Sequence, residues 1–300
     1  MRELVVLSGK GGTGKTSLVA SFAVLAKRSV IADCDVDAAD LHLVLAARVQ
    51  RREEFRAGHE AVIDPELCTG CGLCRERCRF DAVRAEAEDL DWPRFSVDTS
   101  ACEGCGVCAR FCPAGAIDFP ERISGEWYRS DTRCGPMVHA RLGIAAENSG
   151  KLVSLVRQQA REIAQREGRE LVLVDGPPGI GCPVIASLTG TSAALVVTEP
   201  TLSGRHDLER VLVLARHFGV PTAVCVNKWD LNPEMSARIE EGAVAMGAWN
   251  AGRVRYDRGV TAAQVRACAV VETEGPSGKD MRDLWNGLRG FLGGIDGSTG

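Results

Sequence analysis

Eight cysteines fall in two runs between Cys68 and Cys112, each spaced C-x2-C-x2-C-x3-C. Thiolates at that spacing suit soft metal, and the two-residue gaps let three sulfurs grip one face of an iron–sulfur cubane. Gly70, Gly72, Gly104 and Gly106 lie between them, where the backbone must curl close to inorganic sulfide. The stretch from Ile63, I-D-P-E-L-C-T-G-C-G-L-C-R-E-R-C-R-F-D-A-V, aligns at an offset of 34 residues with V-D-T-S-A-C-E-G-C-G-V-C-A-R-F-C-P-A-G-A-I from Val97. The cysteines superpose, as do Asp64 with Asp98 and residues 82–83 with 116–117, so the segment is an internal duplication. Zinc is the alternative metal, but it prefers pairs of C-x2-C to two runs of four with interleaved glycines. The other five of the 13 cysteines, Cys34, Cys134, Cys182, Cys225 and Cys268, are scattered. Disulfide frameworks are rarely bunched in this way.

The duplicated segment resembles bacterial two-cluster ferredoxins over about residues 60–119. The resemblance implies two [4Fe–4S] clusters, with the fourth cysteine of each run ligating the other cluster. One cluster is then held by Cys68, Cys71, Cys74 and Cys112, and the other by Cys102, Cys105, Cys108 and Cys78. Such a swap ties the halves together, which matters for a segment of roughly 60 residues that buries little core of its own. Arg79 stands where that family usually has proline, whereas Pro113 follows Cys112 as expected.

A second group of residues suits phosphate. Residues 4–8 are an apolar run that predicts a strand. G-K-G-G-T-G-K-T follows from Gly9 to Thr16, and residues 18–26 read as a helix. Strand, glycine loop and helix in that order are the setting of a phosphate-binding loop. Backbone N–H groups of residues 12–16 would cradle a β-phosphate at the helix N-terminus. Lys15 would reach the β- and γ-phosphates, and the Thr16 hydroxyl would serve Mg²⁺; Gly11, Gly12, Thr13, Gly14 and Ser17 complete the predicted contacts.

A second predicted strand, residues 30–33, leads into D-C-D-V-D, Asp33 to Asp37. Carboxylates at a strand end facing the loop suit Mg²⁺ and an attacking water; the plain alternative is a solvated acidic turn. A third strand, residues 171–174, ends in D-G-P-P-G-I-G-C-P, with Asp175 placed to hold Mg²⁺ through water and Pro178 against the nucleotide. Its prolines and glycines make a stiff loop that can change state with a γ-phosphate. Strands at 194–198 and 222–226 follow, the latter ending in N-K-W-D, so that Asn227 and Lys228 face the base. N-K-x-D is also the guanine-reading signature of GTPases, so this motif alone leaves ATP and GTP open. Arg255, Tyr256 and Asp257 follow a further possible strand and are placed to close the base pocket.

Lys10, directly before Gly11 and Gly12, resembles the lysine of the deviant Walker A loop of the MinD, ParA and nitrogenase iron protein group. The segments together resemble MinD-superfamily ATPases with an inserted ferredoxin, over nearly the whole chain. The resemblance implies Mg²⁺-dependent hydrolysis of ATP rather than GTP, with Lys10, Lys15 and Asp35 as the catalytic groups. Lys10 would cross an interface to the partner's nucleotide, predicting an ATP-dependent homodimer. Asp35 would position or activate the attacking water, Asp175 would be the Walker B aspartate, and Asn227 would contact adenine. No C-x-x-C lies outside the insert, unlike the Mrp-type scaffold ATPases. Cys182 lies seven residues after Asp175, the offset at which the nitrogenase iron protein places a cluster cysteine. The implied third cluster, shared between subunits, would need Cys134 as its second ligand; the plainer reading is a small buried thiol in a switch loop.

These elements predict an α/β fold: a doubly wound, mostly parallel sheet with an inserted small α+β ferredoxin domain. The expected boundaries are 1–58 and 120–300 for the discontinuous ATPase domain and 59–119 for the insert. Met281, Leu284, Trp285, Leu288, Phe291 and Leu292 recur at helical spacing and predict a packed terminal helix rather than a membrane-binding one. Residues 126–150 define no chemistry, and His139 and His206 are lone histidines of structural type. At 300 residues, 45% apolar, 25% charged and net charge −4, the chain reads as a cytoplasmic protein without nucleic-acid or membrane partners. The expected function is ATP-gated electron transfer from two clusters to a redox partner protein. The alternatives are a cluster carrier or assembly ATPase, and a positioning ATPase whose clusters sense redox state.

Overall fold

The computed structural model describes residues 1–87, 93–143 and 148–295. In chain order the elements are β1 (Arg2–Ser8), α1 (Lys15–Ala26), β2 (Ser29–Asp33), α2 (Leu41–Val44), β3 (Arg48–His59), β4 (Val62–Ile63), α3 (Leu73–Arg77), β5 (Val83–Ala87), β6 (Arg94–Val97), α4 (Val107–Phe111) and β7 (Ile117–Asp118). Then come β8 (Glu121–Thr132), β9 (Gly135–Leu142), α5 (Ser149–Arg166), β10 (Leu171–Pro178), α6 (Cys182–Leu188), β11 (Ala193–Thr198) and α7 (Leu202–His217). The chain closes with β12 (Thr222–Asn227), α8 (Pro233–Ala245), β13 (Trp249–Val254), α9 (Gly259–Val265) and α10 (Pro276–Ile295). No described helix is long and apolar enough to cross a membrane.

The described residues divide into two compact units. The larger comprises Met1–Glu53, Trp127–Arg141 and the chain from Ser149 onward; the smaller comprises Glu54–Glu126 and Leu142–Asn148. Strands run in the order β13-β12-β11-β1-β10-β2-β9-β8-β3, and every pair from β13 to β9 is parallel. Strands of such a sheet are covered on both faces and must be apolar along their length; β1 after Arg2, all of β2 and all of β11 are buried. β2 lies two places from β1 on one side, with the later β10 between them, whereas β11, β12 and β13 step outward on the other. Sheets of this kind bind ligands beyond the carboxyl ends of the strands at that reversal. Register places Val6 opposite Asp175, and Asp175 opposite Asp33, so two carboxylates leave the sheet side by side next to the loop that follows β1.

On one face Leu18, Phe22, Leu173, Leu195, Trp285 and Leu288 belong to one buried cluster. The Trp285 and Phe22 rings are 5.1 Å apart. The apolar spacing of α10 therefore faces protein, with Met281, Leu284, Trp285, Leu288 and Leu292 all buried. On the other face α5 buries Leu152, Val153, Val156, Ala160 and Ile163. Residues 126–150, which had defined no chemistry, supply most of β8 and β9 and the start of α5. Only Arg133 and Cys134 connect β8 to β9, so the two strands run antiparallel. Neither these strands nor β3 was legible as sheet in the sequence, because β3 is rich in arginine and glutamate and mostly exposed.

The smaller unit is symmetrical in the way the duplication demands. Ile63 of the first repeat pairs with Ile117 of the second, and Val97 of the second pairs with Val83 of the first. These are equivalent positions at the 34-residue offset. Each two-stranded ribbon thus joins the start of one repeat to the end of the other, and α3 packs on α4 between them.

Candidate nucleotide cleft and cysteine cavities

The loop after β1 is shaped by its glycines. Gly12 and Gly14 have φ of 78° and 87°, in the left-handed region that glycine enters without penalty. A Cβ at Gly14 would also run into the Asn227 carboxamide, so the position excludes a side chain twice over. Ser8 Oγ donates to the Lys10 carbonyl at 2.8 Å. Asn227 Nδ2 donates to the Thr13 carbonyl at 2.7 Å, and Lys228 Nζ reaches the Gly12 carbonyl at 3.2 Å. The end of β12 therefore braces the loop from behind. Ser17, in the first turn of α1, accepts a hydrogen bond from Gln264 of α9 at 2.9 Å.

A cleft of about 830 Å³ opens over this loop, within the size range of small-molecule sites. Gly11, Gly12, Thr13, Gly14, Lys15, Thr16, Ser17, Asp35, Pro178, Asn227 and Lys228 all line it, as do Arg255, Tyr256 and Asp257. Asp230, the acid of N-K-W-D, does not. Its Oδ1 accepts from the Tyr256 backbone N–H at 2.6 Å.

At the floor Lys15 Nζ lies 2.6 Å from Asp175 Oδ1 and 3.3 Å from Asp35 Oδ2. Lys15 is 6% exposed and Asp175 1%, so neither charge is solvated. Burial opposes the Lys15 charge, but Asp175 and Asp35 outweigh it and hold its pKa above the ordinary lysine value. Asp175 Oδ2 is buried with no hydrogen-bond partner. An orphaned carboxylate oxygen there costs free energy, and a hydrated cation would satisfy it. Together with the Thr16 hydroxyl and the glycine cradle, the residues fit Mg²⁺ and a polyphosphate.

Asp33, the first of the strand-end carboxylates, lies beneath this floor opposite Asp175. It is fully buried and accepts from the backbone N–H of Asp35 at 3.2 Å and of Leu41 at 3.3 Å. Burial, reinforced by Asp175, pushes its pKa well above the carboxylate range. The only sequence signal was its position at the last residue of a strand. Burial likewise raises Asp35, against the pull of Lys15.

Lys10 is not free. Its Nζ lies 3.4 Å from Glu199 Oε2, 3.5 Å from Thr201 Oγ1 and 3.4 Å from Ser203 Oγ. Glu199 is shared, since it also pairs with Lys228. Neither Glu199 nor its loop was expected to touch Lys10.

Two small cavities occupy the cysteine segment. One is lined by Cys68, Cys71, Cys74 and Cys112, with Ile63, Leu73, Phe95 and Ile117. The other is lined by Cys102, Cys105, Cys108 and Cys78, with Ala61, Val83, Val97 and Phe119. Each takes three thiols from one run and one from the other. Among the described residues, no three His, Cys, Asp or Glu side chains converge on a point that one metal ion would fill. The thiols instead stand around apolar hollows, an arrangement suited to a multinuclear cluster rather than to tetrahedral zinc. Gly72 and Gly106, equivalent in the two repeats, have φ of 75° and 71° and turn the backbone around these hollows into α3 and α4.

Comparison with known proteins agrees with both halves of this geometry. The 4Fe-4S binding domain family matches residues 61–84 and 95–118. The fold is similar to that of the cell division ATPase MinD of Pyrococcus furiosus, with a TM-score of 0.56 and 17% identity, covering 97% of this chain and 99% of that one. MinD of Pyrococcus horikoshii, complexed with Mg-ADP, gives a TM-score of 0.59 at 15% identity, covering 98% of each chain. An uncharacterised protein of Methanocaldococcus jannaschii is 32% identical over 235 residues, 77% of this chain and 79% of that one. This chain belongs to the same family as the Methanocaldococcus jannaschii protein, has the MinD/ParA-type fold and carries two 4Fe-4S binding repeats.

A cluster shared through Cys182 and Cys134 requires both thiols on one exposed surface. Cys182 is exposed at the start of α6, but Cys134 is 8% exposed within the hydrophobic core. Burial raises the Cys134 pKa, against the pull of Arg133, and so disfavours the thiolate that would bind metal.

Proposed function

We propose that this protein hydrolyses ATP as a nucleotide-dependent homodimer and uses the cycle to gate electron transfer from two [4Fe–4S] clusters to a partner protein. The observation that carries the reading is the floor of the cleft: Lys15 is buried between Asp175 and Asp35 while one oxygen of Asp175 stays unpartnered. When bound, Mg²⁺ screens the phosphates and the clusters store and release single electrons.

Lys15 exchanges its two carboxylates for the β- and γ-phosphates of ATP. That frees Asp175 for water held on the cation, alongside the Thr16 hydroxyl. Asp35 then holds the attacking water and takes up its proton as the terminal phosphoryl group is transferred. Gly11, Gly12, Thr13 and Gly14 present backbone N–H groups to the phosphates, and Ser17 steadies the first turn of α1. Asn227 keeps one amide hydrogen on Thr13 and has a second for the adenine ring, with Lys228 and Pro178 at the edges. Asp230, held by the Tyr256 backbone, is not turned to a guanine, which supports ATP over GTP. Lys10 leaves Glu199 and crosses to the nucleotide of a second copy.

The apolar hollows with their complete thiol quartets support clusters retained as electron carriers: Cys68, Cys71, Cys74 and Cys112 for one, and Cys102, Cys105, Cys108 and Cys78 for the other. Anaerobic redox titration of the cluster EPR signal, with and without Mg·ATP, tests the coupling. A shift in midpoint on adding ATP, absent in Lys15→Ala, is expected. Identical titrations alongside normal ATP hydrolysis would leave two independent modules and overturn the gating.

A further inference from the structure

The two cysteine repeats differ most beside their third and fourth cysteines. At the 34-residue offset Arg75 answers to Ala109, Arg77 to Phe111 and Arg79 to Pro113. One repeat has taken arginine where the other is apolar. The two sets meet where α3 packs on α4, and there the Arg77 guanidinium lies over the Phe111 ring, 5.7 Å from its centroid. Arg75, Arg77, Arg79 and Arg110 are all exposed, and so are Phe80 at 43% and Phe111 at 55%. None of these arginines forms an ion pair with a described residue, whereas Arg84 in the same unit is paired with Asp98. Glu76 and Asp81 are the carboxylates of the stretch, so arginine is in excess locally in a chain of net charge −4. Every one of the four arginines lies within three residues of a cysteine that lines a cavity.

We propose that this face is the docking surface for an acidic protein, one that sets carboxylates around an apolar centre. Exposed phenyl rings with arginines close by in the chain that form no ion pair with a described residue have the composition of protein interfaces, in which aromatics and arginine dominate binding. A nucleic-acid surface would belong to a basic protein, and this one is acidic overall. Combined with the electron-transfer reading, on which this part rests, the acidic protein is the electron acceptor. One electron leaves a reduced cluster and is taken up by the acceptor's flavin or metal centre. Charge complementarity would orient the encounter and raise its rate more than its final affinity.

Net charge and local charge make opposite predictions, and this gives the test its force. Binding of the cluster-loaded protein is measured by calorimetry against an acidic flavodoxin, a basic cytochrome c and a duplex DNA oligonucleotide. The flavodoxin is expected to bind most tightly and to lose about tenfold between low salt and about 0.2 M. Arg75→Ala, Arg77→Ala, Arg79→Ala and Arg110→Ala should each weaken it about two- to fivefold. Arg84→Ala is the control, and cluster absorbance shows that each variant is intact. Preference for cytochrome c, preference for the DNA, salt-independent binding, or losses no larger than the control would each overturn the proposal. Stopped-flow reduction of the flavodoxin by the dithionite-reduced protein separates the two readings. Salt-sensitive binding without reduction sinks electron transfer and leaves the docking face. Reduction indifferent to salt and to the arginines sinks the docking face and leaves electron transfer.

Discussion

Lys15 is the residue on which the cleft turns, because two buried carboxylates, Asp33 and Asp175, and the half-buried Asp35 depend on its single charge. Asp33 is raised by burial and by Asp175, so the folded chain keeps a proton that the unfolded chain has lost above about pH 4. Stability from that proton is present below the ordinary carboxylate value and is lost as pH climbs toward the raised one. Lys15 offsets part of this loss, so Lys15→Ala should widen it. Urea melts should find the variant's deficit relative to wild type growing as pH rises above about 4; a deficit independent of pH would contradict the account. The same substitution should lower ATP turnover about 10²–10³-fold, as expected for removal of a buried donor to developing charge.

His139 shows the opposite sign. It stacks on Tyr128 and His42 with ring centroids 4.9 and 5.2 Å away, and it shares a 2.9 Å hydrogen bond with Ser130. Burial, with His42 adding, lowers its pKa to about 4. The unfolded chain gains a proton below about pH 6.5 that the folded chain refuses. Stability is therefore lost as pH falls from about 6.5 to 4, on the order of 3 kcal/mol from this group. His139→Gln should flatten that slope; parallel pH profiles for the two proteins would rule the histidine out as its source.

At the scale of elements, α10 and the loop before α7 carry the sharpest expectations. Trp285 joins α10 to α1 through Phe22, both within the buried cluster. Trp285→Ala leaves a hole between two helices and should cost about 3–5 kcal/mol, read from the far-UV unfolding midpoint. A cost below about 1 kcal/mol would mean that α10 packs loosely. The loop before α7 and the first turn of that helix hold Lys10 through Glu199, Thr201 and Ser203. Glu199→Gln removes the only carboxylate of that set and should lower the ATP concentration for half-maximal dimer formation up to about fivefold, the size of one partly exposed ion pair. Sedimentation at graded ATP gives the answer, and an unchanged midpoint would show that the contact is incidental.

For the whole molecule the measurable quantity is iron. Two complete thiol quartets correspond to about 8 Fe per chain. The mixed lining of each cavity predicts which cysteines fail together. Cys78→Ser should alter the cluster of Cys102, Cys105 and Cys108, and Cys112→Ser that of Cys68, Cys71 and Cys74. Paired EPR spectra of these variants would expose the opposite assignment at once. Cys182→Ser should leave the iron count untouched.

Local chemistry was legible from the chain alone. Cysteine spacing, glycine placement and the carboxylates at strand ends are properties of adjacent residues, so they survive in one dimension. The parallel sheet was legible too, because strands buried on both faces are written as unbroken apolar runs. What only the tertiary structure decided depends on residues far apart. Asp33 joins Asp175 because β2 and β10 are neighbours, and Lys10 meets Glu199 across 189 positions of sequence. β3 escaped the sequence because a charged, mostly exposed strand at a sheet edge lacks the apolar run that marks a buried one, and β8 and β9 because polar residues interrupt theirs. Cys134 looked available until the fold placed it in the core, since burial is a property of what packs against a residue and not of the residue itself.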